Sequence, residues 1–154
     1  MPDRPAPRLT PARILAATIA LFSVMGLTLA PRSLAWPART LALDALSLLP
    51  PWWSGILLGG DIDRALNVAI FLPLGAAVAL VLPLRWAAAS VLVGSAVSCA
   101  VEIVQSVVPG RVPDVADILA NTLGTILGTI AVIVVRLVAR AGRDDSARHA
   151  KAGS

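Results

Sequence analysis

Four long apolar blocks, at residues 13–30, 64–82, 87–108 and 115–138, decide what this chain can fold into. An α-helix needs about 20 mainly apolar residues to cross the hydrocarbon core of a bilayer. Backbone polar groups in lipid must pair within their own element, so each block reads as a transmembrane helix. Only 14% of the residues are charged and 57% are hydrophobic, whereas an ordinary soluble domain carries about 25% charged residues. Mean hydropathy is +0.82. The expected fold is all-α: a small bundle of four membrane-spanning helices. Neither tail is long or apolar enough to build a soluble core.

The segments between the blocks follow from their breakers. Thr10 and Pro11 suit the start of the first span, a hydroxyl N-cap followed by proline in the first turn. Ser33-Leu34-Ala35 resembles a signal-peptidase site. Signal h-regions run only about 7–15 residues, however, so the first span is expected to be retained. Residues 31–63 read as an outer loop with an interfacial segment. Pro50 and Pro51 forbid a continuous span there, and Trp36, Trp52 and Trp53 suit headgroup depth. Pro73 is expected to kink the second span. Residues 83–86 read as a tight turn, and Pro109-Gly110 as the stop of the third span. Residues 1–12 and 139–154 read as cytoplasmic tails, the second one basic, with residues 64–138 as the core.

Arginine placement gives an orientation. Arg4, Arg8, Arg13, Arg85, Arg136, Arg140, Arg143, Arg148 and Lys151 fall on one side, against Arg32, Arg39, Arg64 and Arg111 on the other. The positive-inside rule puts both termini in the cytoplasm. The basic tail then reads as an anionic-headgroup contact, with no nucleic-acid site.

Under that topology the polar residues of the spans gather at the outer end. Asn67 lies one turn inside the second span. Glu102 and Gln105 lie in the outer part of the third, with Glu102 roughly 10 Å below Pro109. Asp117 and Asn121 occupy the first turns of the fourth. Asp61, Asp63, Arg111 and Asp114 flank them. Steps of three and four align Asp114, Asp117, Asn121, Gly124 and Gly128 on one face, Ser95, Ser98, Glu102 and Gln105 on another, and Asn67, Phe71 and Gly75 on a third. Small and polar residues seek helix contacts in lipid, so the three stripes are expected to face one another.

Simpler roles compete. The glycine and serine lines suit packing surfaces, Asp114 with Asp117 suits an N-cap and a favourable charge on the helix dipole, and Asn67 suits interhelical bonding. Cys99 reads as a buried small residue. Glu102 is hardest to explain this way. An ionisable group in a span costs about 2.5–3.5 kcal/mol. It is expected to pair with Arg64 or Arg111, hold a cation or stay protonated. With one cysteine and one histidine, His149 in the tail, an intrachain disulfide and a Cys/His zinc site are both excluded.

Asn67-x-x-x-Phe71-x-Pro73-x-Gly75, Glu102-x-x-Gln105 and Arg111-x-x-Asp114-x-x-Asp117-x-x-x-Asn121-x-x-Gly124 together resemble the VanZ-like family. The resemblance covers residues 61–135. It implies a multi-pass protein of the bacterial cell membrane with an envelope role, in a family whose namesake is linked to teicoplanin resistance. It implies no reaction.

The leading expectation is a non-catalytic envelope protein. Its binding residues would be Asn67, Glu102, Gln105, Arg111, Asp114, Asp117 and Asn121, and its partners membrane lipids, a lipid-linked cell-wall precursor or an envelope protein. The alternative is an intramembrane enzyme acting on a lipid or precursor headgroup, with Glu102 as general acid or base. No nucleophile–base pair supports it. A transporter ranks last, because the inner halves of the spans are nearly all apolar. No cofactor is expected; oxygen ligands leave a divalent cation open.

Overall fold

The structure, a computed structural model, describes residues 10–29, 32–48, 50–52, 61–107 and 114–152. Its elements are α1 (Pro11–Leu29), α2 (Arg32–Ser47), α3 (Ile62–Val81), a 3-10 helix (Leu84–Ala89), α4 (Ser90–Ser106) and α5 (Val115–Ala152). Among the described residues there is no strand. Four stretches are long and apolar enough to cross a membrane: Pro11–Leu29, Ile62–Val81, Leu84–Ser106 and Val115–Arg143. The chain is therefore an all-α, multi-pass membrane bundle.

α3 sits at the centre. It packs against every other helix, most extensively against α5. Its Ile70, Phe71, Leu74 and Ala77 bury themselves with Ala20 and Val24 of α1. Phe71 is fully enclosed. The α3–α5 contact works differently. The hydrophobic effect gives little drive between helices in lipid, so close packing and polar contacts must supply it. Gly124 lies against the Val68 carbonyl, Gly128 against the Leu72 carbonyl, and Gly75 against the backbone of Thr125.

α4 and α5 are joined by hydroxyl and amide pairs along their length. Ser90 Oγ and Thr129 Oγ1 are 2.6 Å apart, Ser95 Oγ and Thr122 Oγ1 3.1 Å, and Asn121 Nδ2 donates to Ser98 Oγ at 2.9 Å. Between these pairs Gly94 meets the Thr125 side chain. Thr125 thus fills the point where α3, α4 and α5 cross.

The two ends of the bundle carry opposite chemistry. At one end Arg136 Nη1 donates to the carbonyls of Ala79 and Leu82, both at 2.8 Å. Ala79 belongs to the last turn of α3 and Leu82 is its C-cap, where carbonyls have no intrahelical donor. Arg13 and Arg140 stand close enough to repel Arg136. The aspartates of the α3 and α5 starts gather at the other end. Arg136→Met is expected to lower stability by about 1–3 kcal/mol, since hydrogen bonds from a charged group are lost at a helix end. Equilibrium unfolding in mixed micelles measures it; an unchanged midpoint would show that the arginine cap contributes nothing.

Three expectations need correction. Residues 32–47 are a helix, α2, and not a loop; Pro37 sits near its start and does not end it. Trp36 and Trp52 are exposed, as an interfacial position requires, and Trp53 lies outside the described residues. α5 does not stop at 138 but runs on through the basic tail to Ala152. That tail is rich in alanine and arginine, both good helix formers. Cys99 is exposed on the outward face of α4. In a membrane bundle apolar residues need not be internal, so a small sulfur side chain can face lipid. α3 continues through Pro73 as one helix.

Candidate functional site

Each helix end at the acidic end contributes by its own local logic. Asp61 is the N-cap of α3: its Oδ1 accepts from the Asp63 N–H at 3.0 Å and the Arg64 N–H at 3.3 Å. Asp114 plays the same part for α5, accepting from the Ala116 N–H at 2.8 Å. These carboxylates satisfy free amides at a helix start and lie at the positive end of its dipole. Arg64 Nε lies 3.2 Å from Asp61 Oδ2, an exposed i,i+3 pair.

Glu102 comes from α4 and is almost fully buried. Its Oε2 accepts the Asp114 N–H at 3.2 Å. The helix start of α5 therefore supplies one of its partners. Arg64, one of the two arginines expected to pair with it, is instead held by Asp61, and Arg111 lies outside the described residues. One turn on, Gln105 is buried and its Nε2 donates to the Thr28 carbonyl at 2.7 Å. Thr28 has turned its own hydroxyl back to the Val24 carbonyl at 2.7 Å. Gln105 thereby ties α4 to the end of α1.

Asp117 and Asn121 face the same space from α5. Asn67 stands beside Asp117, while Asp114, Asp63 and Asp61 lie near enough to exert like-charge repulsion on it. Asn121 is 2% exposed. Its Nδ2 is used by Ser98, and its Oδ1 is buried with no hydrogen-bond partner. Arg39 of α2 brings a second unmatched atom: its Nε is also buried without a partner.

These side chains enclose a partly open cavity of about 200 Å³. Its lining includes Asn67, Glu102, Gln105, Asp114, Asp117 and Asn121, which the sequence stripes had singled out. Asp61, Asp63 and Arg64, the flanking residues, join them, and so do Thr28, Arg39 and Val101, which sequence reasoning missed. Val101 only seals the wall. Thr28 is tied to the site through its backbone carbonyl, the acceptor of Gln105, which no residue type announces. Arg39 is a lone cation in a mainly apolar stretch, and that signal was visible in the sequence. The docking of α2 is what turns it inward. Among the described residues no group of three or more histidine, cysteine, aspartate or glutamate side chains is placed to hold a metal ion.

Chemically, the cavity offers carboxylates in excess over guanidiniums, several amide groups and a partly open form near the acidic end of the bundle. No curated protein and no solved structure matches the chain. A family model described as VanZ/LLP1 matches residues 14–136, a span that covers two of the transmembrane stretches whole, most of the other two, and the cavity's described lining residues. With its four apolar spans and its cavity built from the three motifs of that resemblance, the chain belongs to the VanZ/LLP1 family of membrane proteins.

Proposed function

We propose that this is a protein of the bacterial cell membrane whose polar cavity faces outward and binds a lipid or a cell-wall-related ligand, and so alters glycopeptide susceptibility. The observation that carries the reading is Asn121. A buried amide oxygen without a partner, at the wall of an open cavity, is stabilised when something enters that donates to it. Orientation is supported by the arginine end. Arg13, Arg136 and Arg140 gather opposite the cavity, and the positive-inside rule turns that end to the cytoplasm. Retention of α1 is supported by Val24 in the core and by the Gln105 bond to Thr28. The candidate binding groups are Asn67, Glu102, Gln105, Asp114, Asp117 and Asn121, with Arg111 beside them in sequence.

Glu102 as a general acid or base is the second reading. Its engagement by the Asp114 N–H supports a positioning part in the wall over proton transfer.

The test is a thermal-shift series on detergent-purified protein with lipid-linked precursor, phospholipids and teicoplanin. A ligand at a hundredfold excess over its Kd should stabilise the wild type by about 2.7 kcal/mol. Glu102→Gln and Asp117→Asn should each lose most of that shift, and host cells carrying either variant should lose any change in teicoplanin susceptibility. Full shifts and an unchanged phenotype in both variants would reject the cavity as the binding site.

A further inference from the structure

Two buried polar atoms at the cavity lack partners, and they are opposite in kind. Asn121 Oδ1 is an acceptor without a donor, and Arg39 Nε is a donor without an acceptor. Both residues line the same cavity. Water alone answers either need, but the charge around them is lopsided. Arg64 is already paired with Asp61, so Arg39 is the only other guanidinium among the described lining residues, set among several carboxylates. A simple anion at Arg39 would meet that negative field. A simple cation would leave Arg39 unmatched.

We infer that the cavity takes a zwitterion: a primary ammonium joined by a short linker to an oxyanion, with phosphoethanolamine as the type. The ammonium donates to Asn121 Oδ1 and lies among the carboxylates; the oxyanion accepts from Arg39. Charge-assisted bonds of this kind are the stronger class. A volume of about 200 Å³ suits such a group; a single water needs only about 10–15 Å³. The inference rests on the reading of the cavity as a binding site. It adds a chemical class to that reading and excludes quaternary ammonium groups, which have no N–H to give.

The experiment measures Kd for the full chain in detergent against dihexanoyl phosphatidylethanolamine, the matching phosphatidylcholine and phosphatidylglycerol, and O-phosphoethanolamine. Phosphatidylethanolamine should bind about tenfold or more tighter than the other two lipids, the worth of one charge-assisted hydrogen bond. Arg39→Met and Asn121→Leu should each erase that preference. Arg39 lies on the peripheral α2 and is only partly buried, so its variant keeps the test valid if Asn121→Leu fails to fold. Equal affinity for O-phosphoethanolamine assigns a free zwitterion, and a requirement for acyl chains assigns a lipid headgroup; either upholds the inference. Equal binding of all three lipids, lost in Glu102→Gln, would overturn the zwitterion and leave the cavity as a binding site. Binding of the lipid-linked precursor alone would do the same. No binding in either experiment would overturn both.

Discussion

Gly128→Leu is expected to leave almost no monodisperse protein after detergent extraction. A Cβ at this position would overlap the Leu72 carbonyl oxygen and come within 2.8 Å of the Ala76 nitrogen. Both obstacles are backbone atoms of α3, which cannot swing aside as a side-chain tip does. Overpacking usually destabilises by about 1–3 kcal/mol, and a clash with backbone belongs at or beyond the upper end. The helices would have to separate, and separation would also break the close approach of Gly124 to Val68 and of Gly75 to Thr125. Gly26 is the control, because a Cβ there meets nothing within 4 Å. Gly26→Leu should extract and melt like the wild type. If Gly128→Leu also did so, the α3–α5 contact would be looser than described.

The second large effect separates two substitutions at one residue. Glu102→Leu should lower stability by about 1–3 kcal/mol, because it leaves the Asp114 N–H without its acceptor beside a part-buried helix start. Glu102→Gln keeps an amide oxygen in place and should change stability by less than about 1 kcal/mol. Hydrogen exchange at the first amides of α5 gives an independent reading. It should quicken in the leucine variant and hold in the glutamine variant. Equal losses in both would mean that the negative charge, and not the acceptor, holds α5 in place. The contrast also protects the ligand experiments, since loss of binding in a stable Glu102→Gln protein cannot be blamed on unfolding.

Much of this architecture was legible because lipid imposes few solutions. Twenty apolar residues in a row have one economical use in a bilayer, so the spans could be placed from length alone. Helical periodicity then brought Glu102, Gln105, Asp117 and Asn121 to shared faces, and the structure places all four at one cavity. What escaped was set by tertiary contact. Residues 31–63 read as a loop with an interfacial segment because Pro50 and Pro51 forbid a span there, yet residues 32–47 upstream of them form a helix that tolerates Pro37 near its start. Arg39 gained its place only through the docking of α2. Cys99 was misread because burial preferences drawn from soluble proteins assume water outside. The partner of Gln105 was invisible for a plainer reason: it is a main-chain carbonyl, and every residue has one.

Arg136 bears on how the protein is made. Its two acceptors, Ala79 and Leu82, precede it by 57 and 54 residues. A ribosome therefore finishes α3 and α4 well before the donor that seals the last turn of α3 exists. Through that interval the emerging chain holds open carbonyls and a glycine-matched groove with nothing in it. The helix made after α3 and α4 is thus the one that closes their assembly, and a nascent chain released before it would show an unfinished face that the folded bundle covers.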